Sequence, residues 1–144
     1  VISSARHLND KMGNLVANRF IKKMKSKFIK IKKSKILIMG LTFKENCPDL
    51  RNAGVSSVIK NLTKKKCDLD FFDPLSSQAD IKKTYGKKSI LKLVNKKYDG
   101  IIIAVAHDYF KKMGIEKIIK LGKNNHVIFD LKSVFNKNYS DLKL

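Results

Sequence analysis

The chain has 144 residues, 43% of them hydrophobic, enough for one domain with its own core and too apolar for a disordered segment. Its longest apolar runs, such as Ile101–Ala106, are far too short to span a bilayer, and Val1-Ile2-Ser3-Ser4-Ala5-Arg6 has no charged stretch followed by an apolar one, as a secretory signal would. A formal charge of +20 suggests nucleic acid or a membrane surface, yet Arg6, Arg19 and Arg51 are the only arginines and the lysines are spread beside apolar runs, as on solvated helix faces. No specific nucleic-acid partner and no membrane is therefore expected. The absence of a starting Met reads as a chain cut from a longer one or lacking its start.

In chain order, Ile2 to about Lys27 reads as one long helix, with Ile2, Ala5, Met12, Val16, Phe20 and Met24 recurring every three or four residues. Gly13 either weakens that helix or lets another backbone approach closely. Phe28–Ser34 is a basic connector. The period then changes: Lys35-Ile36-Leu37-Ile38-Met39-Gly40 has the mark of a buried parallel strand. A polar loop, 41–52, leads to a helix over 53–65 with Val55, Val58, Ile59 and Leu62 inward. Residues 67–72 form a second strand, stopped by Asp73-Pro74. Residues 76–88 are irregular or loosely helical, and Ser89 can cap a helix through Asn95 with Ile90, Leu91 and Val94 inward. A third strand covers Tyr98–Ala106. Asp108 can cap a short helix carrying Tyr109 and Phe110, and another runs from Ile115 to Leu121, closed by Gly122. Residues 126–131 form a fourth strand; 134–144 carry no assignment. This alternation predicts an α/β fold, a Rossmann-like parallel sheet flanked by helices and preceded by a long N-terminal helix.

In an open α/β sheet, ligands bind beyond the carboxyl ends of the strands, where strand order reverses. The unusual residues lie there. Phe43, Lys44, Glu45, Asn46, Pro48, Asp49 and Arg51 follow the first strand, His107 and Asp108 the third, and Lys132 and Ser133 the fourth. An aromatic ring with cations suits a base or sugar face plus phosphate oxygens. After Gly40 the first βα turn has no second or third glycine, so it is not an ordinary dinucleotide fingerprint. Arg51 has a structural alternative in an ion pair with Asp49. His107 reads as a neutral histidine near a helix start, with no carboxylate partner identifiable, and Asp49 and Asp73 read as turn and capping residues. Cys47 and Cys67 show no metal-ligand or CxxC spacing and read as free thiols of a reducing, cytoplasmic compartment.

The run Gly40-Leu41-Thr42-Phe43-Lys44-Glu45-Asn46-Cys47-Pro48-Asp49-Leu50-Arg51-Asn52 resembles the C-terminal-domain signature of the UDP-glucose/GDP-mannose dehydrogenase family, and within it the bacterial branch acting on UDP-N-acetylhexosamines in surface-polysaccharide synthesis. Four further stretches resemble that family in the same order: Ser4–Gly13, Phe72-Asp73-Pro74, Ala104–Phe110 and Phe129–Phe135. The resemblance implies a division into residues 1–33, the end of a central dimerisation helix with its connector, and 34–144, the UDP-sugar-binding domain. It implies substrate contacts from Phe43 and Lys44, and from Lys132, which stands where many relatives have an arginine. It implies that Arg51 reaches to NAD, which is bound mainly by an N-terminal domain this sequence lacks. Cys47 is not the family's nucleophilic cysteine, so no residue here is assigned to catalysis, and the chain is expected to be inactive alone. A UDP-sugar is the expected ligand, and a homodimer the expected state of the longer enzyme. Two other functions compete: a basic, non-catalytic module for nucleic acid or an acidic partner, and an inactive remnant of the dehydrogenase.

Overall fold

The structure, a computed structural model, describes residues 2–51, 53–135 and 139–144, with side chains described from residue 11 onward. The inward placement of Ile2 and Ala5, and the 4–10 part of the first quoted stretch, lie outside the described side chains.

Helix α1 (Ile2–Ser26) precedes strand β1 (Lys35–Met39), helix α2 (Val55–Lys64), strand β2 (Asp68–Phe72), helix α3 (Gln78–Tyr85) and strand β3 (Tyr98–Ile103). Two short helices, α4 (Asp108–Met113) and α5 (Ile115–Leu121), lead to strand β4 (Gly122–Asp130) and a two-residue strand β5 (Leu142–Lys143). The strand order is β2-β1-β3-β4-β5 and every pairing is parallel. The central strands β1 and β3 are almost wholly buried, as the middle of a sheet covered on both faces must be. Alternate residues go to opposite faces. Ile36, Ile38, Ile102, Val127 and Phe129 meet α1 and α2, while Leu37, Met39, Ile101, Ile103 and Ile128 meet Phe110, Ile118 and Leu121 from α4 and α5.

Helix α1 is part of this packing. Val16, Ala17, Phe20, Ile21 and Met24 are buried along one helical stripe. A Cβ on Gly13 would lie 1.7 Å from Ser57 Oγ of α2, so the glycine is there for close helix–helix approach. Met12, expected on the inward stripe, is instead 48% exposed, because at this level α1 has reached the carboxyl edge of the sheet and faces a cleft. At the far end of α1 a Schellman-type cap closes the helix: Ile29 N–H donates to Met24 O and Phe28 N–H to Lys25 O, with Phe28 at φ 62°.

The segment from Ser89 to Asn95 is not a helix. Its backbone is committed elsewhere: Ile90 N–H donates to Phe71 O of β2, and Ser89 O accepts from Gln78 Nε2 of α3. Ile90 and Leu93 pack inward, but Leu91 is 79% exposed and Val94 46%. Residues 76–88, by contrast, hold a regular helix. Ser77 Oγ accepts from Asp80 N–H at its start, and Gly86 at φ 83° ends it. Strand β4 starts earlier than expected: Tyr98 pairs with Gly122 and Gly100 with Val127, so the polar residues 123–126 bulge outward.

Lysines also link the strands at the amino edge. Lys35 Nζ lies 2.7 Å from Asp68 Oδ2, Lys87 reaches both Asp68 and Asp70, and Lys97 Nζ is 3.1 Å from Asp70 Oδ2. The Lys35 hydrogen bond holds the Asp68 carboxyl below its usual range. At Asp70, burial pushes upward but is outweighed by hydrogen bonds from Tyr98 and Lys97. Burial, then the bond to Asp70, pushes the Tyr98 hydroxyl far up. Both carboxyls are depressed in the folded state, so their contribution is present above the ordinary value of 3.8 and is lost as pH falls below it. The urea midpoint should therefore drop as pH falls below about 4, and Asp70→Asn should flatten that drop by no more than about 1 kcal/mol, as suits partly exposed pairs. An unchanged slope in Asp70→Asn would remove Asp70 from the account.

Candidate functional site

Strand β1 lies between β2 and β3, so the connections leaving β1 and β3 diverge at their carboxyl ends. A cleft of about 270 Å³ opens at that point. Its walls are the segment after β1 (Thr42, Phe43, Lys44, Glu45), the segment after β3 (Ala104–Ala106), Leu131 and Lys132 after β4, the start of α2, and Met12, Gly13 and Val16 of α1. The crevice is therefore where strand topology places it.

Three of the four residues expected to contact ligands, Phe43, Lys44 and Lys132, meet at this cleft. Phe43 is 57% exposed, offering a ring face. Neither Lys44 nor Lys132 has an ion-pair partner among the described residues, while many other lysines are paired with aspartates. Glu45 also borders the cleft, so its charged side chains, Lys44, Lys132 and Glu45, leave a net positive charge there. Arg51 is not among the lining residues. Its Nε donates to Asp49 Oδ1 and its Nη2 to Asp49 Oδ2, both at 3.0 Å, with the guanidinium side chain 86% exposed. The Arg51 hydrogen bonds hold the Asp49 carboxyl below its usual range. The structural alternative for Arg51, the ion pair with Asp49, is thus present.

The loop's shape comes from groups buried beneath it. Gly40, at φ 95°, turns the chain against Val105, where any Cβ would fall 2.7 Å from the Val105 Cβ. Leu41 N–H donates to Asp73 Oδ2 at 2.7 Å, and Tyr85 OH donates to Leu41 O at 3.1 Å. Burial, then the Asp73 charge, pushes the Tyr85 hydroxyl up to about 12, which keeps it a donor. Phe43 N–H donates to Asp49 O at 2.7 Å, closing the hairpin of the loop. Asp73 also accepts from Leu75 N–H in the turn role expected of it.

His107 corrects the sequence reading. It has a carboxylate partner: Nε2 lies 3.0 Å from Asp73 Oδ2, and both side chains are fully buried. Nδ1 accepts from Asn46 N–H at 2.9 Å, so the ring's proton sits on Nε2, which donates to Asp73 and lies 3.3 Å from Thr42 Oγ1. Asp73 precedes His107 by 34 residues, and only the neighbouring ends of the strands join them. Asp130 does comparable work after β4: it accepts from Val134 N–H and Phe135 N–H and thereby sets the turn that carries Lys132.

Among the described residues there is no cluster of three His, Cys, Asp or Glu that could hold a metal, and no helix long and apolar enough to cross a membrane. Cys47 and Cys67 are free, and burial pushes the Cys67 thiol up. The first βα turn does not fit a resident NAD: after Gly40, Leu41 and Thr42 are buried against Asp73 and His107, and 14 residues (41–54) separate Gly40 from α2.

Known proteins agree with this geometry. The UDP-binding domain of the UDP-glucose/GDP-mannose dehydrogenase family matches residues 37–137. UDP-N-acetyl-D-glucosamine 6-dehydrogenases of Salmonella typhi and Pseudomonas aeruginosa are each 44% identical over all 144 residues. The chain spans about a third of the length of these curated relatives, 34% in both. Among solved structures, an NDP-N-acetyl-D-galactosaminuronic acid dehydrogenase from Methanosarcina mazei Go1 superposes with TM-score 0.74 at 20% identity, over 93% of this chain and 28% of that one. A UDP-glucose dehydrogenase from Pyrobaculum islandicum gives 0.73 at 16% identity, over 95% and 30%. At these identities the structural likeness speaks for the fold alone. The parallel sheet, the switch-point cleft and the sequence match together place the chain in the UDP-glucose/GDP-mannose dehydrogenase family, where it spans the UDP-binding domain.

Proposed function

We propose that this chain is the C-terminal, UDP-sugar-binding portion of an NAD-dependent UDP-N-acetylhexosamine 6-dehydrogenase. The observation that carries the reading is the convergence of Phe43 with two ammonium groups, Lys44 and Lys132, that have no ion-pair partner among the described residues, at the switch-point cleft. In this reading the two lysines hold the diphosphate and the Phe43 ring lies against the base or sugar. The activity expected of the longer enzyme, oxidation of a sugar CH2OH to a carboxylate for surface-polysaccharide precursors, rests on groups outside this chain. The chain contributes no catalytic residue: Cys47 lies within the substrate loop, with no assigned base beside it. NAD is held mainly by the rest of the enzyme, and Arg51 is the group here that reaches toward it. Its guanidinium, held by Asp49, is 86% exposed and so open to a group outside this chain. Residues 1–33 end a central dimerisation helix in a homodimeric enzyme, and residues 34–144 form the binding domain. The reading places the enzyme in the cytoplasm.

A ligand that binds only the folded state raises the melting temperature. UDP and UDP-N-acetylglucosamine, added to the 144-residue chain, should raise it with dose, by the equivalent of about 2.7 kcal/mol at a hundred times Kd. Uridine, lacking the diphosphate, should have far less effect. No shift with millimolar UDP, or an equal shift with uridine, would sink the reading.

A further inference from the structure

We infer that His107 is a positioning residue that sets the shape of the UDP-binding loop, holding Thr42 and Asn46 on either side of Phe43, Lys44 and Glu45. The inference rests on the reading of the cleft as a UDP site and goes beyond it by assigning a buried group that touches no ligand. His107 has no exposed surface, so no substrate can reach it.

The imidazole joins three strand ends. Through Nδ1 it accepts the Asn46 N–H at 2.9 Å from the loop after β1. Through Nε2 it reaches Asp73 Oδ2, just past β2, at 3.0 Å. The residue itself follows β3 and precedes α4. The Asn46 side chain completes the tie, its Oδ1 accepting from Asp108 N–H at 2.9 Å. Asn46 takes a left-handed conformation, φ 59°, which suits an asparagine held by local hydrogen bonds. On the other side, Thr42 Oγ1 donates to Lys44 O at 3.0 Å and lies 3.3 Å from His107 Nε2. Residues 43–45 are thus the part of the loop that projects into solvent between Thr42, which touches the buried ring, and Asn46, which is hydrogen-bonded to it.

The tautomer matters. Asn46 N–H needs a lone pair on Nδ1, and the Asp73 carboxylate, which already accepts Leu41 N–H, needs a proton from Nε2. Only the neutral ring protonated on Nε2 serves both. Removing the ring leaves a buried carboxylate and a backbone amide each short of a partner. The loop then has no reason to keep one conformation, and a bound diphosphate must order it at a cost in affinity.

The two halves of the ring can be separated. His107→Asn places an amide oxygen near the Nδ1 position and keeps the Asn46 bond; His107→Gln reaches Asp73 with an amide N–H and loses it. Three readouts apply: the ring ¹⁵N shifts of the wild type, amide exchange at Asn46 and Leu41 against Ile38 and Ile102 in the core, and affinity for UDP. The expected result is an Nε2–H ring. In His107→Ala, exchange at Asn46 should rise at least tenfold with core amides unchanged, and UDP affinity should fall at least tenfold. His107→Asn should recover most of both, His107→Gln little. Unchanged exchange at Asn46 in His107→Ala, or an Nδ1–H ring, would overturn the inference. So would a loosened loop that binds UDP as tightly as before. If the wild type binds no UDP, the proposed function fails, and the inference, which rests on it, fails as a claim about affinity; the exchange and tautomer data still show whether the ring holds the loop.

Discussion

Replacing Phe20 by Ala should cost about 3–5 kcal/mol, enough to bring a domain of this size near its unfolding point. The ring is fully buried and lies on Gly100 of β3, so close that a Cβ there would fall 2.3 Å from Phe20 Cζ. Ring and glycine are complementary: the missing side chain makes the recess that the phenyl fills. Two consequences separate this from an ordinary core deletion. Gly100→Ala, which adds volume, should also destabilise, because packed cores resist overfilling. The double variant Phe20→Leu/Gly100→Ala should be less damaged than the sum of its singles, since the residues are in contact. Urea unfolding of the wild type, Phe20→Leu, Gly100→Ala and the double variant gives the coupling directly. The outcome also bears on domain organisation. If α1 were only a connector from another part of a longer protein, Phe20→Ala would cost little. A loss below about 1 kcal/mol would show that the sheet does not depend on the helix.

That dependence was only partly legible in the sequence. The apolar runs of β1 and β3 could hardly be anything but buried strands, and α2 carries its inner face at ideal spacing. The stripe on α1 was visible too, but a stripe does not name its partner, and Met12 sits on it while facing the cleft. Ser89–Asn95 misled for a reason that propensity cannot contain: a good capping residue and well-spaced apolar side chains were present, yet Ile90 N–H had a carbonyl of β2 waiting for it. The early part of β4 is polar and bulged, so it left no apolar signal. A two-residue strand such as β5 leaves almost none.

At the site, the position of the cleft followed from topology, because loops after β1, β3 and β4 must meet at one edge. What could not be read was which charged groups stay free. Asp49 was close enough in sequence for its pairing with Arg51 to be considered. The Asp73–His107 pair was out of reach, since both residues are unremarkable until β1, β2 and β3 bring them together. The exposed part of a binding loop was thus easier to find than the buried part that shapes it.

Charge at Lys44 and Lys132 should dominate affinity for UDP, and the chain's overall charge makes the argument quantitative. A protein of net charge +20 attracts any anion weakly through its general field, and salt screens that attraction. A positioned ammonium donating to a phosphate oxygen is different in kind, being worth about 1.5–3 kcal/mol, or roughly ten- to a hundredfold in affinity. Lys44→Ala should therefore weaken UDP binding at least tenfold. Lys44→Glu should abolish it at millimolar ligand, because a second carboxylate would then join Glu45 at the rim. Lys132→Ala should act likewise, and the two alanine losses should not add if both lysines hold one diphosphate. Lys132→Arg should keep or improve affinity, since a guanidinium can engage the phosphates through two parallel bonds. Lys117→Glu, on α5 away from the cleft, changes net charge as much as Lys44→Glu does and should change affinity by less than twofold at physiological salt. Calorimetric titration of these five single variants and of the double variant Lys44→Ala/Lys132→Ala with UDP measures all of this. Equal losses in Lys44→Glu and Lys117→Glu would mean that the general field, and not the cleft, binds the nucleotide.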